Sequence, residues 1–273
     1  EDLRLSEYNS LAKVIQFIID SKLELPVPIE EPEEVVAEFP GIVSTGAEDV
    51  PATRVEFEKK IIRRVPAPVL RPRLDVCRST DVVLNEETRV VVVKDQGKVS
   101  TSLLRRLRGR KVQVLVLEAA QSEDEMMEKL NPWLEDGAAT GVYFLPGLDI
   151  ETPFQQMTAK EWQTTLNLGV HTLYALMRNL PNQPYLVCAT RMGGLHGFSV
   201  EGASAPMGGS ITGFTKAYSR ERVDSFVKVV DFEQHLDDSV VAARLIDETV
   251  RDPGVVEVGW ENDLRYGIAV VDQ

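Results

Sequence analysis

The chain has 273 residues, 43% of them hydrophobic and 27% charged, which is typical of a soluble globular protein with a substantial core. Its formal net charge of -13 and its pI near 4.8 disfavour nucleic acid and anionic membranes as partners, because both would repel it. The sequence contains no apolar stretch of bilayer-spanning length and no recognisable signal peptide, and Cys77 and Cys188 lie far apart. These features predict a reduced, cytoplasmic protein.

The sequence divides into three predicted regions. Within residues 1–22, apolar side chains such as Val14 and Ile18 recur at helical spacing and predict a short amphipathic helix. Residues 23–60 are rich in glutamate and proline and predict a flexible acidic linker. Residues 61–273 then form the predicted folded domain. Because the chain opens on Glu1 and enters helical periodicity almost at once, we expect it to be a piece of a longer polypeptide.

The folded domain has the alternating pattern of an α/β protein. Prolines between residues 63 and 77 predict an extended segment along the edge of the domain, because proline disfavours helix. The strands that follow are apolar on both faces and alternate with helices, which predicts a doubly wound, Rossmann-like parallel sheet covered on both sides. The predicted strands are 89–93, 112–117, 141–145, 185–190, 226–230, 255–260 and 266–271, and the predicted helices are 101–107, 123–134, 159–179, 210–220 and 239–251.

The first turn of this fold is where a dinucleotide would bind. A dinucleotide site needs a glycine-rich turn, so that the backbone can approach the pyrophosphate at a helix N-terminus. Here Gly97 is the one glycine, Val99 is β-branched where close approach is needed, and Asp95 brings a negative charge towards the pyrophosphate position. Lys94 and Lys98 compensate that charge in part. The loop therefore predicts that nucleotide binding has been lost.

The residues needed for carbonyl reduction are also missing from the sequence. This chemistry needs a phenol that donates a proton, a cation that lowers the phenol's pKa, and a hydroxyl that orients the carbonyl. No tyrosine of this chain is followed four residues later by a lysine. Tyr218 and Lys216 are only two apart, so we expect Tyr218 to pack and Lys216 to be solvated. The three histidines have no zinc-site spacing, so no metal is predicted.

Several motifs resemble those of short-chain dehydrogenases and, more closely, of ketoreductase domains from modular polyketide and fatty-acid synthases. The segment 213–216, Gly-Phe-Thr-Lys, resembles a stretch that follows the catalytic Tyr-x3-Lys. Residues 141–147 resemble the Gly-Val-x-His-x-Ala-Gly strand, and residues 158–162 resemble the Thr-x-Glu-x-Trp helix start. The resemblance covers about residues 89–273.

The resemblance assigns catalytic positions that this chain does not fill. Ser204 stands where the tyrosine belongs, Gly208 and Gly169 stand where lysines belong, and Thr190 stands where the orienting serine belongs. The resemblance also implies that one strand-helix unit is missing after Leu117. Such ketoreductases have a structural half that binds no cofactor and a catalytic half that binds NADPH. The chain resembles the structural half, so no cofactor is expected for it. The degenerate loop positions are Asp95, Gly97 and Val99.

Residues 3–18 resemble the last helix of an acyl carrier protein in such synthases. The expected partners are therefore an acyl carrier domain and an adjacent ketoreductase half, and a homodimer is a further alternative. The leading hypothesis is a non-catalytic scaffolding module of a polyketide or fatty-acid synthase. One alternative is a divergent active β-ketoacyl reductase that uses Thr190. Another is an acyl or small-molecule binding module built on the loops at 193–194 and 208–209.

Overall fold

The structure is a computed structural model that describes residues 63–119 and 122–273. The predicted carrier-like helix and acidic linker lie outside the described residues. Within the described residues, no helix is long and apolar enough to cross a membrane.

An eight-stranded sheet forms the centre of the domain, with the strand order β1-β8-β7-β6-β5-β4-β2-β3. The six strands from β2 to β7 run parallel to one another. At one edge, β8 pairs antiparallel with β7, and β1 pairs antiparallel with β8. The predicted Rossmann-like fold is thus confirmed, with an antiparallel edge added to it. The strands are β1 (Arg64–Leu70), β2 (Arg89–Lys94), β3 (Gln113–Glu118), β4 (Gly141–Phe144), β5 (Tyr185–Thr190), β6 (Val227–Phe232), β7 (Glu257–Glu261) and β8 (Leu264–Asp272).

Helices cover both faces of the sheet because the strands are apolar on both faces. In β2, Val90 and Val92 face one hydrophobic cluster, Val91 and Val93 face the other, and all four are fully buried. Helices α1 and α6 pack on the first face, and α2, α4 and α5 pack on the second. The helices are α1 (Val99–Gly109), α2 (Glu123–Glu135), α3 (Ala159–Leu166), α4 (Thr172–Asn179), α5 (Gly208–Glu221) and α6 (Asp238–Val250).

The predicted helix over 159–179 begins as expected but is not continuous. Thr158 and Glu161 form a reciprocal capping box at its start. A π-helical turn over Asn167–His171 then separates α3 from α4, and Gly169 within it has φ -89° and ψ -108°. Glycine tolerates this non-helical conformation because it has no Cβ.

The prolines of β1 lie at positions where a missing N–H costs nothing. The N–H of Gln273 bonds to the carbonyl of Arg63, and the N–H of Arg71 bonds to the carbonyl of Arg265. In this antiparallel register the odd-numbered residues of β1 face β8, so Pro66 and Pro68 present their nitrogens to the free edge. The prolines therefore allow β1 to pair with β8 while blocking extension of the sheet.

The strand order also locates the expected binding crevice. The chain passes from β2 to β3 at one edge of the sheet and then crosses back through α2 to β4 on the other side of β2. No further strand lies outside β3 in the described residues, in agreement with the predicted missing unit. The direction of winding reverses between β2 and β4, and ligands in this type of fold bind at the carboxyl ends of those strands.

Candidate functional site

A crevice opens at the carboxyl ends of β2 and β4. It comprises two cavities of about 560 Å³ and 600 Å³, whose linings share Asp95, Gln96, Gly97 and Asp149. The first cavity extends towards β3, and the second extends towards the loop after β5. The crevice is thus large enough for a small ligand and lies where this fold binds its ligands.

The carboxylate of Asp95 occupies the N-terminus of α1. Its Oδ1 accepts the N–H of Ser100 at 2.8 Å, and its Oδ2 accepts the N–H of Val99 at 3.2 Å. Asp95 is only 4% exposed, and the N-cap residue Lys98 contributes no side-chain bond. The N–H groups that receive a phosphate in dinucleotide-binding turns therefore already hold an anion from the chain itself.

Gly97 makes room for this carboxylate. A Cβ at position 97 would lie 2.7 Å from the Oδ2 atom of Asp95, which is closer than van der Waals contact. The one glycine of the loop thus permits close approach of an aspartate side chain. The sequence predicted a negative charge here but did not reveal that the carboxylate accepts hydrogen bonds from the first N–H groups of the helix.

Two further carboxylates face the crevice from the segment after β4. Asp149 accepts the N–H of Gln96 at 2.7 Å, and burial together with the charge of Asp95 raises its pKa to about 6. Glu151 accepts the N–H of Met207 at 3.1 Å, and burial raises its pKa as well. The middle of the crevice is therefore acidic and disfavours a phosphorylated ligand.

The end of the crevice near β3 is closed by an ion pair. Lys94 at the end of β2 contacts Glu118 at the end of β3, with 2.7 Å between Nζ and Oε1. The sequence predicted that Lys94 would compensate part of the charge of Asp95. Because Lys94 and Glu118 neutralise each other, Lys94 is not an unpaired cation at the phosphate position.

The positions assigned to the catalytic tyrosine and to one lysine lie on the other side of the crevice. Ser204 lines the second cavity and donates its hydroxyl hydrogen to the carbonyl of Arg191 at 2.9 Å. Gly208 begins α5 and is packed so tightly that a Cβ would lie 2.9 Å from the Cγ of Met192. A lysine at position 208 would require the side chain of Met192 to move.

The other two assigned positions also lack catalytic groups. Gly169 is buried in the π-helical turn, where a Cβ would make only ordinary contact with Ile211. Thr190 is fully buried and donates its hydroxyl hydrogen to Asp231 at 2.7 Å. Thr190 therefore does not present a free hydroxyl to the crevice in this structure.

Asp231 is a structurally important residue that the sequence analysis did not identify. Besides Thr190, its carboxylate accepts the N–H groups of Met192, Gly194 and His196 at 2.7, 2.7 and 2.9 Å. This buried carboxylate fixes the loop that follows β5. The signal in the sequence was an acidic residue inside an apolar strand, which is rare unless the charge is compensated.

The glycine pairs proposed as a ligand-binding loop do not enclose a cavity together. A Cβ at Gly194 would lie 2.3 Å from the carbonyl oxygen of Trp260, because this loop packs directly on β7. Gly208 is packed against Met192, and Gly209 lines a shallow groove on α5. Gly193, Gly194 and Gly208 do not line either cavity of the crevice, and ligand binding by these loops stays a prediction.

The described part of the crevice contains no tyrosine in its lining. Tyr143 and Tyr185 are buried in the sheet, and burial raises the pKa of Tyr143 to about 12. Tyr218 is buried and Lys216 is an exposed ion-pair partner of Glu257, which confirms the predicted packing and solvation. Among residues 63–119 and 122–273, no three acidic, histidine or cysteine side chains cluster as a metal site.

The crevice does not fit a nicotinamide dinucleotide, the cofactor that this type of fold implies. Its phosphate-binding N–H groups are bonded to Asp95, and Asp149 and Glu151 add negative charge beside them. A dinucleotide phosphate would have to displace one carboxylate and approach two others.

Neither a known family model nor a curated protein matches the chain. Among solved structures, the fold is similar to part of a multidomain structure with adenylation, ketoreductase and pseudo-Asub domains from a keto acid-selecting NRPS module. That match has 12% identity and a TM-score of 0.59, and covers 77% of this chain and 18% of that one.

A C2-type ketoreductase from a modular polyketide synthase matches with 14% identity and a TM-score of 0.51, covering 76% of this chain and 43% of that one. An A1-type ketoreductase matches with 15% identity and a TM-score of 0.50, covering 77% of this chain and 42% of that one. The chain thus spans less than half the length of each of these structures. The likeness shows the fold alone, a Rossmann-like α/β fold similar to that of these ketoreductase structures.

Proposed function

We propose that this chain is a non-catalytic structural module of a polyketide or fatty-acid synthase. In this role it supports an adjacent NADPH-dependent ketoreductase half and lies next to an acyl carrier domain. Its own crevice neither binds the cofactor nor carries out reduction.

The observation that carries the proposal is the packing at Gly208. The resemblance places a catalytic lysine there, yet a Cβ at this residue would lie less than 3.4 Å from side-chain atoms of both Met192 and Thr190. Restoring a lysine would therefore require these two side chains to shift.

The cofactor side of the crevice supports the same proposal independently. Lys94 is paired with Glu118, and two N–H groups at the N-terminus of α1 are bonded to Asp95. The acyl-binding alternative would have to use the remaining apolar lining of the second cavity, such as Leu148 and Ala205.

Calorimetric titration with NADPH tests the lack of cofactor binding. We expect no saturable binding at NADPH concentrations up to about 1 mM, far above the affinity of a functional dinucleotide site. An active ketoreductase domain serves as the positive control. Saturable micromolar binding, or steady oxidation of NADPH with a β-ketoacyl thioester, would contradict the proposal.

The supporting role needs a separate measurement with the ketoreductase half of the same synthase. That half is to be prepared with and without this chain, and its melting temperature and reductase rate compared. We expect both to rise when the chain is present, because a ligand that binds only the folded state stabilises it. An unrelated Rossmann domain is the control. If the two proteins have equal effects, the scaffolding role is wrong.

A further inference from the structure

The two edges of the sheet are protected in different ways. At the β1 edge, Pro66 and Pro68 present nitrogens that cannot donate a hydrogen bond. At the other edge, β3 has the sequence Gln-Val-Leu-Val-Leu-Glu, which contains no proline and alternates valine and leucine in its middle. A strand of this kind pairs readily with another strand when nothing covers it. β3 is therefore the edge at which the sheet can be extended.

The backbone groups of β3 point alternately to β2 and to the free edge. The N–H of Gln113 bonds to the carbonyl of Thr88 at 3.0 Å, so the odd-numbered residues of β3 face β2 in this parallel register. Val114, Val116 and Glu118 consequently present their N–H and C=O groups outwards. Within the described part of the chain, these outward groups have no hydrogen-bond partner. A second strand would thus meet a complete row of donors and acceptors.

Apolar side chains on and around β3 are only partly buried. On one face of the sheet these are Leu104 of α1 and Val114, and on the other face they are Leu115 and Met127 of α2. A strand added at this edge would cover part of their remaining surface on both faces. Removing that surface from water favours association.

The charges around β3 match those of a second copy that runs in the opposite direction. The basic run 105–111 precedes β3, and the acidic first turn of α2 at 123–125 follows it. Two antiparallel β3 strands place the basic end of each against the acidic end of the other. Parallel strands would instead place like charges together, which disfavours that arrangement.

Arg108 and Glu118 repeat this match at the edge itself. Both line the first cavity together with Val116, so they lie on the same side of the sheet as that side chain. When two strands pair about Val116, Val114 of one copy lies opposite Glu118 of the other. Arg108 belongs to the last turn of α1, which runs back over the first half of β3 because it connects two parallel strands. Arg108 therefore lies towards the position that Glu118 of the second copy takes.

We propose that two copies of this chain associate through β3, with the two strands antiparallel and centred on Val116. The sheet then continues across a two-fold axis, and each facing pair of outward residues exchanges two N–H···O bonds. Because both copies use the same surface, the pairing closes at a dimer. The inference goes beyond the proposed function and does not rest on it.

Sedimentation velocity of the full chain tests the dimer. We expect the wild type to be mainly dimeric at about 100 µM and mainly monomeric below about 1 µM. V116P removes an outward N–H and leaves the bonds to β2 in place, as the prolines of β1 do for β8. V116T keeps both the N–H and the β-branched shape, and is the matched control.

We expect V116P to raise the dimer Kd by at least about tenfold and V116T by less than about threefold, because only V116P loses hydrogen bonds in both copies. A wild type that stays monomeric at about 100 µM would overturn the inference. So would a V116P variant that dimerises as tightly as V116T.

A pair of charge reversals tests the orientation, and also replaces V116P if that variant does not fold. Arg105 and Arg108 are both exposed on α1, but Arg105 does not line the cavity beside β3. R105E and R108E change the net charge equally, and only Arg108 faces Glu118 of the second copy. We expect R108E to raise the dimer Kd by about tenfold and R105E by less than about threefold. Equal effects would contradict the antiparallel pairing.

Hydrogen exchange locates the interface on the strand. We expect the outward amides of Val114, Val116 and Glu118 to exchange at least about tenfold more slowly at 100 µM than at about 1 µM, because pairing protects them. The odd-numbered amides of β3 already bond to β2 and should change little. A dimer that leaves the three outward amides unprotected would show association through another surface and overturn the inference.

Discussion

Charged side chains are arranged in opposite ways in two regions of this sheet. Beneath α6, the carboxylate of Glu248 contacts Lys228 and Arg265, and all three side chains are at most 2% exposed. In the crevice, Asp149 and Glu151 are half-buried and have no ion-pair partner among residues 63–119 and 122–273, and the pKa of each is raised. The comparison teaches that the charges beneath α6 are held by opposite charges, whereas the charge of Asp149 lies beside that of Asp95 and disfavours an incoming anion.

The region beneath α6 is a connected set of ion pairs, here called the Glu248 network, comprising Arg71, Lys228, Glu248, Asp252 and Arg265. Lys228 also donates to the carbonyl oxygens of Glu248, Arg251 and Asp252, at 2.8 to 3.0 Å. Burial lowers the pKa of Lys228, and the charge of Glu248 opposes that shift. The network joins β6, α6, β8 and the end of β1.

The largest expected effect is on the Glu248 network. E248A leaves the charges of Lys228 and Arg265 buried with fewer partners, so we expect a loss of about 3–5 kcal/mol in the free energy of unfolding. Urea denaturation at pH 7 measures it. D272A is the control, because the pair Arg64–Asp272 is more than 60% exposed on both sides and contributes less than about 1 kcal/mol. A loss below about 1 kcal/mol for E248A would mean that the network does not stabilise the fold.

The second expected effect concerns Asp231, which fixes the loop after β5. D231N keeps the shape of Asp231 but turns an amide nitrogen towards N–H donors, so we expect a loss of about 2–3 kcal/mol. We also expect faster hydrogen exchange at the amides of Met192, Gly194 and His196, whose partner is Asp231. D263N, on an exposed turn, is the matched control. Unchanged exchange at these three amides would contradict the assigned role.

The third prediction uses the raised pKa of Asp149. Its folded-state pKa of about 6 lies above the ordinary aspartate value of 3.8, so the folded protein binds more protons than the unfolded chain between pH 4 and pH 6. The stability that protonated Asp149 contributes to the fold is complete below about pH 4 and is lost as the pH rises through 6. D149N should therefore stabilise the chain at pH 7.5 by about 1 kcal/mol, after allowing for solvent screening.

Urea denaturation of D149N and the wild type at pH 4 and pH 7.5 tests this assignment. The advantage of D149N should be present at pH 7.5 and absent at pH 4. D237N is the control with the opposite sign, because hydrogen bonds from Ser239 lower the pKa of Asp237. If D149N has the same effect at both pH values, the acidic crevice does not destabilise the fold.

The two regions also differ in how much of them the sequence could predict. The valines of β2 predicted a strand covered on both faces, and the prolines of β1 predicted an edge, because both signals are local. Gly169 did not reveal the π-helical turn, since glycine allows many conformations. The partners of Asp231 and Glu248 come from distant parts of the chain, so no short pattern could identify them. Asp95 was recognised as a charge, but its direction depends on the backbone path between residues 95 and 98.

The smallest expected effect is the coupling between Gly97 and Asp95. The φ of Gly97 is not in the left-handed region, so alanine there would ordinarily stabilise the chain by about 0.4–1 kcal/mol through the unfolded state. In the wild type, however, the new methyl group would lie 2.7 Å from the Asp95 Oδ2 atom and force the carboxylate off the helix. G97A should therefore destabilise the wild type but become neutral or stabilising in D95A. Urea denaturation of the wild type, D95A, G97A and the double variant measures the coupling in the free energy of unfolding, which we expect to be about 1 kcal/mol. Strictly additive effects would show that Gly97 is not retained for the carboxylate.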